Sequence, residues 1–413
     1  MVGRRYQFWM RDIDLFQLAL GLSSPWRVSR TAFDAGAKQL DIQIDFARGS
    51  RFSCKECGAE GCPVHDVSEK QWRHLNFFEH TTILSARVPR SKCDQCGVKQ
   101  VALPWARDGS GFTLLFEAFV LALVKAMPVA NAAAIMGEHD TRIWRILDHY
   151  VTQAVDALDL SEVTQIAADE TSARRGHDYI SLFVDLARRK VVFVTDGKDA
   201  ATVAAFAKFL EEHGGSKDKI TDASIDMGAA FISGVKSNFP NAKITFDKFH
   251  VIKLVNEAVD EVRRGEAKNN DWIKGTRHLW LKNLTNLDEG EKRELVKLET
   301  ANLDTMQAWQ MRLNLQEIFK MPTVASARKL LTLWNTWVQV SDLKPMKKVA
   351  KTIMEKADDI LRAIASKISN GLLEAINGNV QAAKRKAKGY RTKHNLKLIV
   401  YLIAGGVLDA LPT

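Results

Sequence analysis

Cysteine is scarce in this chain, with five in 413 residues. So few thiols in so long a chain rule out a disulfide scaffold. They fit a reducing compartment, where paired cysteines hold metal. Long apolar runs are missing as well. The most apolar stretches, Ala118 to Val124 and Ile399 to Leu408, fall well short of the roughly 20 residues a spanning helix needs. No spanning segment, and no membrane partner through one, is therefore expected. The opening MVGRRYQFWMRDIDLF carries acids inside its apolar stretch and makes a poor signal peptide. No repeat or low-complexity segment stands out. Acidic residues are the minority, 49 against 59 Lys and Arg, for a net charge of +10. That surplus favours a polyanionic partner, either nucleic acid or an acidic membrane surface, without choosing between them. What is present is a hydrophobic fraction of 46%, enough to bury several cores in about two or three domains.

All five cysteines fall between residues 51 and 105. Cys54-Lys-Glu-Cys57-Gly and Cys93-Asp-Gln-Cys96-Gly are matching knuckles. Each sets two thiolates on a tight turn, with a glycine that lets the backbone fold back under a metal. Together Cys54, Cys57, Cys93 and Cys96 make a four-thiolate site suited to structural Zn²⁺, with no open position for chemistry. Strand-like stretches such as Thr81 to Val88 lie between the knuckles, as in a zinc ribbon. A redox pair or buried free thiols are the alternative. Cys62 and His65 follow the first knuckle and read as bystanders.

Phe112 to Ala126 has helical apolar spacing. Pro128 opens a second helix, Gly137 breaks it, and Asp140 can cap a third, DTRIWRILDHYV. A short Ala-rich helix, a glycine turn and a helix displaying Arg142 and Arg145 is the plan of a helix-turn-helix, whose last helix enters the major groove. An ordinary helical hairpin with solvated arginines is the competing reading. Ile143 and Trp144 read as core.

From Val163 the pattern becomes β-β-β-α-β-α-β-α, a ribonuclease H-like topology. The first apolar run ends at Asp169-Glu170-Thr171, and YISLFVDL and KVVFVTDG form a hairpin about Ala187-Arg188-Arg189. A helix spans Ala200 to Glu212, ITDASID ends at Asp226, and AKITFD leads to Asp247 and His250. Singly, Asp169 and Asp226 read as helix caps. Together, leaving two strands this topology sets side by side, they read as a metal pair. Asp247 is a third candidate, for support near the site or simply at a strand end. Carboxylates of this kind hold Mg²⁺ for in-line displacement at phosphorus, and that requires a further acid. Glu374 supplies a candidate. In SNGLLEAINGNVQAAKRKAKGYR, Asn370, Glu374, Asn377, Gln381, Lys384 and Lys388 share one helical stripe, opposite Leu372, Leu373, Ile376, Val380 and Ala383. By period alone the polar stripe reads equally as a solvated face.

With these motifs in place, the chain resembles the ISL3 family of insertion-sequence transposases over essentially its whole length. The knuckles, the helical segment, ADETS, SIDMGAAF, FDKFHVIKLVNEAVDEVRR and the segment around Glu374 carry the likeness. The resemblance implies a DDE enzyme with catalytic Asp169, Asp226 and Glu374 and two catalytic Mg²⁺, with Mn²⁺ as substitute. Such an enzyme cuts and joins double-stranded DNA at terminal inverted repeats and target sites, as a homodimer or higher oligomer. Lys384, Arg385, Lys388 and Arg391 are then expected on DNA with Arg142 and Arg145. The implied location is the bacterial cytoplasm, nucleoid-associated when DNA-bound.

The expected architecture is multidomain α+β. A zinc-ribbon region spans 1–105 and a helix-turn-helix domain 106–160. A ribonuclease H-like core spans 161–261, interrupted by an all-helical insertion over 262–366, and a final helix with a basic tail spans 367–413. The insertion's Trp272, Trp280, Trp309, Trp334 and Trp337 read mostly as core. A non-catalytic DNA-binding relative and another ribonuclease H-like nuclease are the competing functions. The intact acids weigh against the first, and the zinc ribbon with its helical insertion against the second.

Overall fold

The computed structural model describes residues 10–174, 176, 178–299, 303–366 and 371–406; Asn370 and the end of the expected tail lie outside these. The described chain divides between Tyr150 and Val151 into two compact units.

In the first unit, α1 (Asp12–Ala19) precedes β1 (Trp26–Asp34) and β2 (Gln39–Phe46). The alternation LDIQIDF turns Leu40, Ile42, Ile44 and Phe46 inward, as the period of two requires. Then come β3 (Arg51–Phe52), the long hairpin of β4 (Cys62–Phe77) and β5 (His80–Cys93), and β6 (Gly97–Gln100). The sheet runs β1-β2-β5-β4-β3, with β6 also on β5. β2 and β5 pair in parallel and the other neighbours antiparallel. Trp26, Phe46, Phe52, Trp72 and Trp105 seal its core edge to face, Trp26 and Trp105 at 4.9 Å between centroids. Three helices follow: α2 (Leu114–Ala126), α3 (Val129–Met136) and α4 (Asp140–Asp156).

The second unit holds β7 (Gln165–Arg174), β8 (Asp178–Asp185), β9 (Lys190–Asp196), α5 (Ala200–Glu212), β10 (Asp222–Ile225), α6 (Ala229–Asn238), β11 (Lys243–Phe246) and α7 (Lys248–Glu266), in the expected order. Its sheet is ordered β11-β10-β7-β8-β9, with β7 central. β7, β8 and β9 are antiparallel, while β10 runs parallel to both β7 and β11. Helix α6 packs on α5 through Gly234, where a Cβ would stand 2.7 Å from the Val203 side chain.

Beyond α7 the described chain is helical: α8 (Arg277–Leu281), α9 (Glu289–Glu299), α10 (Asp304–Ile318), α11 (Val324–Val340), α12 (Lys344–Glu355) and α13 (Ala357–Ser366). These helices have no separate core. One apolar cluster runs from Phe206 and Phe246 through Val255 to Trp280, Trp309 and Trp334. Trp337 is partly buried against it, whereas Trp272 is 68% exposed. The chain then returns through α14 (Gly371–Lys386) and α15 (Lys393–Ala404). The single final helix expected from the sequence is thus two. Lys388 and Gly389, at φ of 55° and 98°, break it. The second is not a basic tail but an apolar helix, whose Tyr401 hydroxyl accepts the Val194 N–H of β9 at 2.9 Å. Among the described residues no helix is long and apolar enough to cross a membrane.

Candidate active site, zinc centre and DNA-reading helix

The cysteine knuckles meet at one end of the first unit. The first lies in the loop from β3 to β4 and the second in the β5–β6 turn. Gly58 and Gly97 follow them at φ of 74° and 73°, a region that L side chains disfavour. The sulfurs of Cys54, Cys57, Cys93 and Cys96 all lie within 4.8 Å of one another, Cys57 and Cys93 at 3.6 Å. Sulfurs on a tetrahedral Zn²⁺, at about 2.3 Å from the metal, stand about 3.8 Å apart, so the set fits zinc. Cys62 is buried beside it but outside the set, facing the carbonyl of Ala59 at 3.4 Å. His65 is exposed.

The helical trio of the first unit is pinned by a buried carboxylate that the sequence reading missed. Glu117 of α2 accepts from Arg107 at 2.9 Å, Ser110 at 2.7 Å and Tyr150 of α4 at 2.8 Å. Gly137 ends α3 in the left-handed conformation, and α4 follows. Ile143 is buried, Trp144 half-buried and Arg145 exposed. Arg142 differs from expectation: it is half-buried, donates to Glu138 at 2.6 Å and lies 4.1 Å over the Phe112 ring. Glu138, whose side chain is 8% exposed, also faces Arg73 of β4 at 3.7 Å. Arg142 therefore also holds the turn, through a partner four residues back and a ring thirty residues away.

In the second unit, Asp169 lies within β7 and Asp226 just past β10. The parallel register pairs Ala223 with Ile166 and Ser224 with Ala167. Asp169 and Asp226 each follow two residues after that last pair, and the Asp226 carboxylate acts on that of Asp169. Burial pushes the Asp169 carboxyl up to about 6; the nearby carboxylates of Asp226 and Asp247 add to the rise, against the Glu170 N–H and His250. Asp247 caps α7 by accepting the Phe249 N–H at 2.9 Å, and His250 Nδ1 lies 3.3 Å from its other oxygen. That carboxylate raises the His250 imidazole above its ordinary range, burial opposing, with Asp169 and Asp226 adding. Glu170 sits 3.9 Å from Lys198. Burial raises its carboxyl, Lys198 lowers it, and Asp226 acts on it in turn, so it stays within electrostatic reach of the cluster.

Helix α14 lies along β7 in step with it. Asn377 donates to Asp169 at 2.6 Å, Gln381 to Thr171 at 2.7 Å and Lys384 to the Ser172 carbonyl at 2.8 Å. Four helical residues rise about 6 Å and two strand residues about 6.6 Å, so the polar stripe of one matches the side chains of the other. The stripe is thus a docking face and not simply a solvated one. Glu374 stands three residues before Asn377, about 4.5 Å along the axis. It is exposed, and among the described residues no hydrogen bond or ion pair joins it to either aspartate. Arg385, Lys388 and Arg391 are exposed beyond the docked turns, whereas Lys384 is partly buried.

Half-buried acids on and just past neighbouring strands, a four-thiolate centre and a three-helix segment with a glycine turn are the parts of an enzyme that acts on DNA. Comparison with known proteins gives the same class. Residues 166–400 match a family described as transposase. Residues 101–151 match the helix-turn-helix domain of transposase family ISL3, and residues 50–96 the zinc-finger of transposase IS204/IS1001/IS1096/IS1165. The chain belongs to the ISL3 family of transposases. It is 27% identical to the transposase for insertion sequence element IS1001 of Bordetella parapertussis, over 82% of this chain and 85% of that one. It is 24% identical to the transposase for IS1557 of Mycobacterium tuberculosis, over 98% of both. DNA binding through the helix-turn-helix, DNA transposition and structural zinc follow from family and cysteine cluster together.

Proposed function

We propose that the chain cleaves and transfers DNA strands at a DDE site of Asp169, Asp226 and Glu374, with Mg²⁺, at the terminal inverted repeats of its element. The observation that carries this reading is the parallel register of β7 and β10, which pairs Ala167 with Ser224 two residues before Asp169 and Asp226, with the Asp169 carboxyl raised to about 6. Half-buried carboxylates close enough that Asp226 raises Asp169 call for a cation, and a few carboxylates leaving room for water and phosphate oxygens suit Mg²⁺. Two Mg²⁺, when bound, supply activation of the attacking oxygen and stabilisation of the leaving one. Asp169 and Asp226 would hold them, with Glu374 brought in from the rim as DNA fills the site. Asn377 keeps Asp169 oriented meanwhile. Arg145 would read bases, and Arg385, Lys388 and Arg391 would follow phosphates, with Arg142 and Lys384 in supporting contacts.

The order β11-β10-β7-β8-β9 supports a ribonuclease H-like core, with the helices from 262 to 366 as its insertion. On this reading the functional divisions are the zinc ribbon to 105, the helix-turn-helix to 160, the core to 261, the insertion to 366 and the closing segment after it. A homodimer or higher oligomer on DNA, in the cytoplasm, completes the proposal. The test is cleavage and strand transfer on DNA bearing one element end. Asp169→Asn, Asp226→Asn and Glu374→Gln should each abolish both reactions and leave end binding intact. An active Glu374→Gln protein would remove Glu374 from the site.

A further inference from the structure

The turn that carries Asp226 is held from its far side by a residue 130 positions along the chain. Lys356 sits in the break between α12 and α13. Its Nζ donates to the carbonyl of Met227 at 3.1 Å and stands 5.4 Å from the centroid of the Phe246 ring on β11. The Met227 carbonyl and the Gly228 N–H belong to one peptide group. That same N–H donates to Asp226 Oδ1 at 2.9 Å. A cation thus sits at the oxygen end of a single peptide dipole and a carboxylate at its nitrogen end. Hydrogen bonds chained through one peptide polarise each other, so the ammonium strengthens the bond that fixes the carboxylate. The turn is also closed tightly, because a Cβ at Gly228 would stand 2.9 Å from Asp226 Oδ1.

We infer that Lys356 is a positioning residue for the second acid: acting through the Met227–Gly228 peptide, it fixes the orientation of the Asp226 carboxylate and thereby sets how tightly the site binds its divalent cation. This rests on Asp226 being a metal ligand. It gives the helical segment a part in the chemistry, since its α12–α13 junction reaches the acid from outside the sheet. Lysine suits the place because its compact ammonium reaches one carbonyl while standing over the Phe246 ring.

The experiment uses the full chain with Lys356→Met, Lys356→Gln, Lys356→Arg, Phe246→Leu and Asp226→Asn. Three quantities are read: Mn²⁺ binding by electron paramagnetic resonance, cleavage of an end-bearing DNA against Mg²⁺ concentration, and end binding without metal. Lys356→Met keeps the stem and drops the donor. It should weaken Mn²⁺ binding and raise the half-saturating Mg²⁺ by about tenfold, the lower end of what losing an outer partner of a metal ligand costs, with end binding unchanged. Lys356→Arg should recover most of the loss, and Phe246→Leu should leave metal dependence alone. Should Lys356→Met fail to fold, Lys356→Gln keeps a neutral donor and should show a smaller shift in the same direction. Unchanged metal dependence in the folded Lys356 variants, beside an inactive Asp226→Asn, would overturn the inference and spare the site. A rate loss at saturating Mg²⁺ with unchanged half-saturation would make Lys356 purely structural and overturn it too. An active Asp226→Asn would bring down the site and the inference together.

Discussion

Asn377 donates a hydrogen bond of 2.6 Å to Asp169 across 208 residues of sequence. It ties the helix that bears Glu374 to the strand that bears the first acid. Asn377→Ala removes this tie while Gln381 and Lys384 still dock the helix. Cleavage should fall by about tenfold, within the range for losing an outer partner of a metal ligand. Glu374→Gln should cost more, because on the proposed reading it removes a metal ligand outright. Single-turnover cleavage of an end-bearing DNA measures both. An Asn377→Ala protein as impaired as Glu374→Gln would make Asn377 more than a tether.

The zinc centre gives a test with an internal control. Cys54→Ser with Cys93→Ser should lose bound zinc, measured by a colorimetric release assay, and with it end-specific binding, because such metal sites are coupled to folding. Cys62→Ser should keep stoichiometric zinc, since its sulfur lies outside the ligand set and faces the Ala59 carbonyl. Zinc loss in Cys62→Ser alone would reverse the assignment.

The two arginines of α4 should separate. Arg145→Ala, at an exposed position, should weaken binding to the element end by about 1–3 kcal/mol more than to random DNA if it reads a base. Arg142→Ala breaks a bond to Glu138 and a stack on Phe112. It should cost about 1 kcal/mol of stability and weaken all DNA alike. Melting temperatures and parallel binding curves distinguish the two. A sequence-selective loss in Arg142→Ala with unchanged melting would restore it as a reader.

Acid should raise the site's requirement for Mg²⁺. The folded Asp169 carboxyl lies above its ordinary value, so the fold favours its protonated form. The penalty on stability is absent below the unfolded value near 4, grows as pH rises and is complete above about 6. Protonation also competes with metal, so the Mg²⁺ requirement should rise as pH falls through 6. Asp169→Asn should consequently raise the melting temperature of metal-free protein at pH 7.5 more than at pH 4.5. Equal shifts at both values would contradict the raised carboxyl.

Much of this was legible in the sequence, and for local reasons. The knuckles, the glycine turn before Asp140 and the aspartate after β10 are signals only a few residues long, whereas Asp169, expected at the end of its strand, lies inside β7, which runs on to Arg174. Strand order followed from the alternation of strands and helices, and that order set Asp169 beside Asp226. Other features were not legible because their partners lie far apart in sequence. The parallel pairing of β2 with β5 across the knuckle region has no local mark. Glu138 as the partner of Arg73 depends on packing. The stripe on α14 was visible, but its docking on β7 appears only when helix rise and strand rise are laid side by side. The break at Lys388 and Gly389 left a trace in the glycine alone.

The close approach of α6 to α5 at Gly234 bears on how this gene tolerates drift. Gly234 touches no acid and no thiolate. A methyl group there must still push α6 away from Val203, and α6 begins three residues after Asp226. A random screen for lost transposition should therefore recover changes at Gly234 alongside those at the acids, in protein that still accumulates normally. A copy of the element could be silenced from within its packing, with every reactive group left as written.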